Sequence, residues 1–445
     1  MTIPSFEQIL SLAPDDSAAR AAKDLATTRK WSRLGFNEVA TWGECQGSGA
    51  DPYRTQIDIQ QNAFKCTCPS RKFPCKHGLA LFLLLAKERD AFTSTEAPEW
   101  VLTWFAQRHA REGKQKRSDQ DDERATPPAP VAQAKRASKR QANVKAGLED
   151  FDRWLQDLVR RGLASTQSEN YVFWENQAKH LVDAQAPGIA RLVRECAGTP
   201  ASGNGWQERL MRQISQIYLL LEANSRLETL PGELQDDVRT AVGFTQSQEE
   251  LLAEPGVADT WATVGQTIEY GERFRVQRTW LYGKRAERHA ILLSFAAGTA
   301  QLDTNFLPGS EYDAELVFFP SAAPLRALLK IKTGQPSVMS EMPGFSSFEP
   351  ALDYYSKVIS KNPWSERVPM AINDVQPKIS HDGTFIVRDS ERCEAELGGS
   401  DLLAWQMIAV SGGRPVTAFG EWDGEIFHPI SLFAEGGFQR LERRG

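Results

Sequence analysis

The sequence has few cysteines and no long hydrophobic run, and these two absences exclude whole classes of protein. Six cysteines in 445 residues are too sparse for the disulfide framework of a secreted protein. The longest apolar run, Leu79 to Ala86, has about half of the length that a membrane span needs. The start of the chain has neither the basic residues nor the apolar core of a signal peptide. We therefore expect a soluble, cytoplasmic protein that does not bind a membrane.

Catalytic motifs are missing as well. The sequence contains no G-x-x-x-x-G-K-[ST] phosphate loop, no G-x-S-x-G nucleophile motif and no kinase signature. Acidic residues are scattered, and no spacing singles out a carboxylate pair that could act as general acid and base. We therefore expect a non-enzymatic protein, while an activity hidden in residues 256–445 remains the alternative.

Length and charge predict several domains. A chain of 445 residues exceeds what one ordinary core supports, and 41% hydrophobic with 25% charged residues is a globular composition. The net charge of −6 argues against a general nucleic-acid coat but leaves room for a local basic patch.

One short stretch, from Lys65 to Gly78, carries most of the chemical information. It contains three of the six cysteines and a histidine in the order C-x-C, six residues, C-x-H. Residues 64–68 have strand character, and alternate residues of a strand face the same side, so Cys66 and Cys68 project together. Cys75 and His77 precede an apolar helical run, and the loop between the pairs is bounded by Pro69 and Pro74.

Three sulfurs and one imidazole predict a zinc site. These soft donors favour zinc over calcium or magnesium and fill its four-coordinate shell, which makes a structural site without an open position for water. Unliganded buried cysteines and a disulfide are the alternatives. Upstream, Cys45 lies in a predicted hairpin of residues 39–45 and 53–59, either near the metal or packed in its strand.

The cluster and its flanking residues resemble the SWIM-type zinc finger. The resemblance is carried by Lys30 to Ser32, Trp42 to Gly49 and Phe64 to His77. It covers about residues 40–90, with weaker similarity from residue 20. It implies that Cys66, Cys68, Cys75 and His77 bind one structural zinc ion in a fold of paired strands and a helix.

The same resemblance implies a DNA-binding or protein-interaction module. Bacterial proteins of this kind are associated with AAA+ ATPases of the MoxR type and with von Willebrand A-domain proteins, which are therefore the expected partners. Basic residues surround the cluster. They could contact either the surface of a partner protein or the phosphates of DNA. The residues that we expect at this contact are Lys65, Arg71, Lys72 and Lys76.

The rest of the chain is divided by composition. We expect an N-terminal region of residues 1–110 with the finger at about 53–90, a disordered basic linker of residues 111–147, a helical domain of residues 148–255 and a mixed α/β domain of residues 256–445. The linker holds ten Lys/Arg and five Asp/Glu and almost no large apolar residue. No internal repeat is visible. The predicted fold class is multidomain α+β, with a small zinc-bound β-hairpin and helix module, a helical segment and a strand-rich C-terminal region.

Overall fold

Three regions follow one another in the computed structural model of the chain, and the predicted multidomain α+β fold class is confirmed. The structure describes residues 6–10, 12–13, 16–46, 51–59, 63–70, 72, 74–106, 130–270, 274–297, 302–303 and 305–441. Within these ranges, no helix is both long and apolar enough to cross a membrane.

The N-terminal region is a five-stranded sheet covered by helices. Its elements are α1 (Phe6–Leu10), α2 (Asp16–Leu25), β1 (Trp31–Phe36), β2 (Ala40–Cys45), β3 (Tyr53–Asp58), β4 (Ala63–Cys66), α3 (Lys76–Lys87), β5 (Thr93–Ser94) and α4 (residues 99–106). The sheet order is β4-β3-β2-β1-β5. Strands β2 and β3 pair antiparallel, which confirms the predicted hairpin.

Helix α3 lies at the centre of this region. Every residue from His77 to Leu85 is buried, so the helix has no exposed face between these two residues. Such a helix has to be covered on all sides, and here the sheet packs on one side while α1 and α2 pack on the other. On strand β1, Gly35 is required because a Cβ atom there would lie 2.5 Å from the Trp42 ring.

The second region is a helical bundle. It consists of α5 (Pro130–Arg161), α6 (Tyr171–Asp183), α7 (Pro187–Cys196), α8 (Trp206–Ser225), α9 (Gly232–Val242) and α10 (Gln248–Ala253). The apolar residues of α5 to α9 that recur at helical spacing form one core, with Trp174 fully buried within it. From residue 148 onward, apolar residues recur in the sequence at helical spacing, which places them on one face of each helix, and these faces pack together to form the core.

The predicted linker overlaps helix α5, and for residues 130–147 the prediction of disorder is wrong. These residues are rich in Ala, Lys, Arg and Gln, which are strong helix formers. Val144 and Leu148 are buried in the bundle core and attach this half of the helix to it. Residues 111–129 lie outside the described part of the chain.

The third region contains two small barrels. The first is formed by β6 (Val257–Tyr270), β7 (Phe274–Gly283), β8 (Arg288–Ala297), β9 (Ser310–Phe318) and β10 (Ala327–Val338), in the order β10-β9-β6-β7-β8. A parallel bridge between Ile291 and Arg326 joins β8 to the start of β10. The long strand β6 pairs with β9 through its first half and with β7 through its second half.

The second barrel repeats this topology. Helix α11 (Phe348–Lys361) leads into β11 (Val368–Ile379), β12 (Phe385–Arg388), β13 (Glu394–Leu397), α12 (Asp401–Ser411), β14 (Val416–Trp422) and β15 (Ile426–Ala434), and β16 (Gly437–Arg440) pairs with β15. Strand β13 pairs parallel with β15, and β11 pairs antiparallel with β14.

Both barrels therefore have the strand order 1-2-3-5-4 closing on strand 1, with a parallel contact between strands 3 and 5. This is the topology of the OB-type Greek-key barrel. The repeat exists in strand pairing and is not visible in the sequence, because the barrels differ in strand lengths and in the helix α12, which the second barrel inserts between its third and fourth strands.

The two barrels pack on each other through an apolar interface that includes Trp280, Ile291, Phe419 and Ile430. At its edge, the indole Nε1 of Trp280 donates a 3.0 Å hydrogen bond to the buried carboxylate of Glu421. The guanidinium of Arg367 lies 3.2 Å from the same carboxylate, so this buried charge is paired.

Candidate metal centre

The first pair of ligands lies at the end of the β3–β4 hairpin. Cys66 is the last residue of β4 and pairs with Thr55 on β3. The pairing continues beyond the strand, since the Thr67 amide donates to the Arg54 carbonyl at 3.0 Å and the Thr67 hydroxyl accepts from the Arg54 amide at 3.0 Å. Cys68 follows two residues after Cys66, and the extended backbone keeps both thiols on one side.

The second pair lies at the start of helix α3. Cys75 occupies the N-cap position with extended backbone, and its carbonyl accepts the first helical hydrogen bond, from the Leu79 amide at 3.1 Å. His77 follows within the first turn. The positive end of the helix dipole favours negative charge at this point, which suits a thiolate.

The structure brings all four predicted ligands together. The sulfur atoms of Cys66, Cys68 and Cys75 and a ring nitrogen of His77 all lie within 4.8 Å of one another. Cys75 and His77 are buried and the other two are half-buried. A tetrahedral zinc ion with Zn–S bonds of about 2.3 Å needs donors at about this separation, so the donor set fits one structural zinc ion. No other group of three or more potential ligands occurs in the described ranges.

Comparison with protein families gives two matches. The model of the SWIM zinc finger matches residues 53–86, and the model of the SWIM-associated four-helix bundle domain matches residues 139–242. The chain contains a region similar to the SWIM zinc finger and, after it, a region similar to the SWIM-associated bundle domain. A comparison with curated proteins found no match, and neither did a comparison with solved structures.

The two matches define the finger and its associated bundle. The SWIM finger comprises the hairpin of β3 and β4, the loop with the ligands and most of α3. The matched bundle begins inside α5 and ends with α9, so it covers the helical core described above. The barrels lie beyond both matches.

The pKa values of the finger's ligand side chains depend on one another. Hydrogen bonds with Cys68 and then with Cys75 raise the pKa of the Cys66 thiol far above its ordinary value. Hydrogen bonds with Cys66 and then with Cys75 lower the pKa of the Cys68 thiol far below its ordinary value. Burial alone would lower the pKa of His77, but its hydrogen bonds with Cys68 and Cys75 raise it to about 9. A bound zinc ion would require thiolates at the three cysteines and a neutral imidazole at His77, so its binding would release protons.

Two residues outside the ligand set support it. The hydroxyl of Thr55 donates a 3.2 Å hydrogen bond to the Cys66 sulfur, and the Tyr53 ring lies 5.0 Å from the His77 ring. Such neighbours fix the orientation of ligands and tune their basicity. Sequence reasoning missed both residues. Thr55 could have been identified from the antiparallel register of the β3–β4 hairpin, because this register places it opposite Cys66.

The remaining cysteines do not join the site. Cys45 is fully buried in strand β2, as the packed-strand alternative predicted, and lies outside the ligand group. Burial is the main reason why its pKa is raised to about 11, so its thiol stays protonated at neutral pH. Cys196 is buried in the bundle core and Cys393 is exposed in the second barrel.

The basic residues predicted around the finger lie on its surface where they can be described. Lys65 on β4, Lys72 in the ligand loop and Lys76 at the start of α3 are all exposed. Arg71 lies outside the described residues. The three lysines therefore surround the zinc ligands with positive charge that faces solvent.

Proposed function

We propose that the protein is a non-enzymatic interaction protein, and that its SWIM finger contacts a partner protein. In this proposal zinc has a structural role, because three thiolates and an imidazole complete its coordination and leave no position for a substrate or a catalytic water. The observation that carries the proposal is the position of the exposed Lys65, Lys72 and Lys76 around this closed site.

The charge of this surface suggests what the partner presents. Between residues 65 and 89 the sequence has six Lys or Arg residues and one acidic residue, Glu88. Complementary acidic groups on a partner would favour fast and oriented association with such a patch. An AAA+ ATPase of the MoxR type or a von Willebrand A-domain protein is the partner that we propose, from the resemblance described above.

The experiment is an affinity capture with the tagged full chain from its native cells, followed by identification of the bound proteins. We expect one of these partners to be captured by the wild type and lost from the variant Lys65→Glu/Lys72→Glu/Lys76→Glu. The matched control Lys139→Glu/Lys179→Glu/Lys361→Glu changes the net charge equally at exposed lysines away from the finger. Equal capture by both variants would refute the finger as the contact surface.

DNA is the second candidate for the same surface, because lysines around a rigid module also suit phosphate contacts. In this case the purified chain would bind duplex DNA with an affinity that falls steeply as salt rises, by about one power of salt for each phosphate contact. A salt-independent affinity, or binding unchanged in the Lys→Glu finger variant, would exclude this candidate.

A further inference from the structure

We propose that the chain forms a symmetric homodimer through an apolar face of the second barrel, with helix α12 of each copy packed antiparallel against α12 of the other. The composition of this helix is the first observation that supports the dimer. Of its eleven residues, only Asp401, Gln406 and Ser411 are polar. A helix that is apolar around its whole circumference is normally buried on all sides.

Helix α12 is covered on one side only. Leu403 and Met407 belong to the core of the second barrel, whereas Leu402 and Trp405 are each 51% exposed. Helix α3 of the finger is also strongly apolar, yet every residue from His77 to Leu85 is buried there. The described part of the chain therefore covers α3 completely and leaves one side of α12 open to solvent.

The open side forms a contiguous apolar surface, which we call the α12 face. Leu402, Trp405 and Ala409 are spaced by three and four residues, so they lie along one side of the helix, and all three are exposed. The Trp405 ring packs edge-on at 5.4 Å against the ring of Phe385 on β12, and Phe385 pairs with Ile379, which is 43% exposed. Contiguous exposed apolar surface of this kind marks sites of protein association.

The α12 face is complementary in shape to a second copy of itself. Trp405 is three residues after Leu402 and four before Ala409, so a twofold axis beside Trp405 places Leu402 of one copy opposite Ala409 of the other. A large side chain then faces a small one, which favours close packing of the two helices. The two Trp405 rings meet at the axis, and aromatic pairs stabilise an interface beyond the area that they bury.

Charge favours the same antiparallel arrangement. The exposed Asp401 lies in the first turn of α12 and Arg414 follows shortly after the last turn, so the two ends of the face carry opposite charges. Antiparallel packing brings the acidic end of each helix to the basic end of the other, and it also aligns the two helix dipoles favourably. Arg414 pairs with Glu435 of its own chain, but both side chains are largely exposed, so this pair contributes little and leaves the guanidinium accessible.

The size of the α12 face suits the centre of a dimer interface. The exposed parts of Trp405, Leu402 and Ile379 present on the order of 300 Å² of apolar surface. A stable dimer buries about 800 Å² on each copy, of which the centre is apolar and the rim is polar. Because the apolar centre is modest, we expect a dissociation constant in the micromolar range.

The dimer bears on the function proposed above. It presents two fingers on one particle, so a partner with two binding sites is bound more tightly than one finger alone would allow. This consequence rests on the proposed function, whereas the dimer itself is tested without any partner of the finger.

The test is sedimentation equilibrium of the full-length protein over a series of concentrations. We expect the average mass of the wild type to rise with concentration towards twice that of one chain. Leu402→Glu and Ala409→Arg each place an unpaired charge at the centre of the interface and should weaken self-association about tenfold or more. Both side chains are exposed in the single chain, so both variants should stay folded. The matched control Ala142→Arg, at an exposed alanine of helix α5, should associate like the wild type.

An equimolar mixture of the two variants tests the antiparallel pairing. In a mixed dimer the new carboxylate of Leu402→Glu lies opposite the new guanidinium of Ala409→Arg, while the other Leu402–Ala409 contact is unchanged. The mixture should therefore associate more tightly than either variant alone.

Three outcomes would overturn the proposal. A wild type that stays monomeric at every concentration would show that two copies do not cover the α12 face and would leave it to another protein. Association of Leu402→Glu and Ala409→Arg as tight as that of the wild type would place the dimer contact elsewhere on the chain. A mixture that associates no better than the single variants would contradict the antiparallel pairing of α12.

Discussion

Acid should weaken the packing between the two barrels through one buried histidine. His289 on β8 is 6% exposed, and its ring lies 5.1 Å from the Tyr282 ring and 5.7 Å from the Phe419 ring of the second barrel. Its Nε2 atom has no hydrogen-bond partner among the residues that the structure describes. Burial lowers the pKa of His289 to about 4, because a charged imidazolium would lose its hydration among these rings.

The direction and size of this loss of stability follow from the pKa of His289 in the folded and in the unfolded chain. An unfolded chain gives histidine a pKa of about 6.5, so the unfolded state takes up a proton first as the pH falls. The neutral ring therefore contributes its full stability above pH 6.5, and this contribution is lost between pH 6.5 and 4. A difference of about 2.5 units corresponds to about 3 kcal/mol in the free energy of unfolding.

The measurement is urea unfolding of the wild type and of His289→Phe at several pH values from 7 to 4. The phenylalanine variant keeps an aromatic ring but cannot take up a proton, so all other titrating groups are common to both proteins. We expect the stability difference between them to shift by about 3 kcal/mol in favour of the variant as the pH falls. Parallel curves would refute the reasoning, and the exposed His381→Gln serves as the control that should run parallel to the wild type.

Three further predictions concern the finger and the barrel interface. Zinc chelation, or Cys75→Ser, should unfold the finger and leave the bundle and barrels folded, because metal binding is coupled to folding of the finger alone. Limited proteolysis with mass spectrometry would show this, and a chain that unfolds throughout would contradict it. Thr55→Val should weaken zinc affinity about tenfold in a chelator competition, because it removes the hydrogen bond to the Cys66 sulfur; unchanged affinity would show that the bond does not support the site. Trp280→Phe should lower the free energy of unfolding by about 1–3 kcal/mol, since the buried Glu421 carboxylate loses a donor. A smaller change would mean that the neighbouring Arg367 and Arg278 already satisfy this carboxylate.

The zinc ligands could be predicted from the sequence because their chemistry is local. Cys66 and Cys68 form one pair on extended backbone and Cys75 and His77 form another at a helix start, and a six-residue loop can bring such pairs together. The hairpin of β2 and β3 was also predictable, since its alternation and its turn lie within one short segment.

The barrels could not be predicted in the same way, because their closure depends on pairing between distant residues. Ile291 meets Arg326, and Glu396 meets Ile426, by parallel contacts that leave no local pattern. The sequence predicts strands at residues 273–282 and 289–295, which are close to the observed β7 and β8, but the order of strands in a sheet is not available from alternation alone.

The first half of helix α5 shows a different limit. Its composition is that of a disordered linker, and it lacks the apolar period that signals a packed helix. Val144 attaches it to the bundle core, and the segment extends a helix whose second half is packed, so no new helix has to be nucleated. A helix of this kind is stabilised by its continuation more than by its own side chains.

The central claim is that Cys66, Cys68, Cys75 and His77 hold one structural zinc ion. Elemental analysis of the purified full-length protein by inductively coupled plasma mass spectrometry tests it most directly. The account predicts one zinc ion per chain, which is lost in Cys66→Ser/Cys75→Ser and retained in the control Cys393→Ser. A wild-type protein without stoichiometric zinc, or a Cys66→Ser/Cys75→Ser variant that retains it, would contradict the claim.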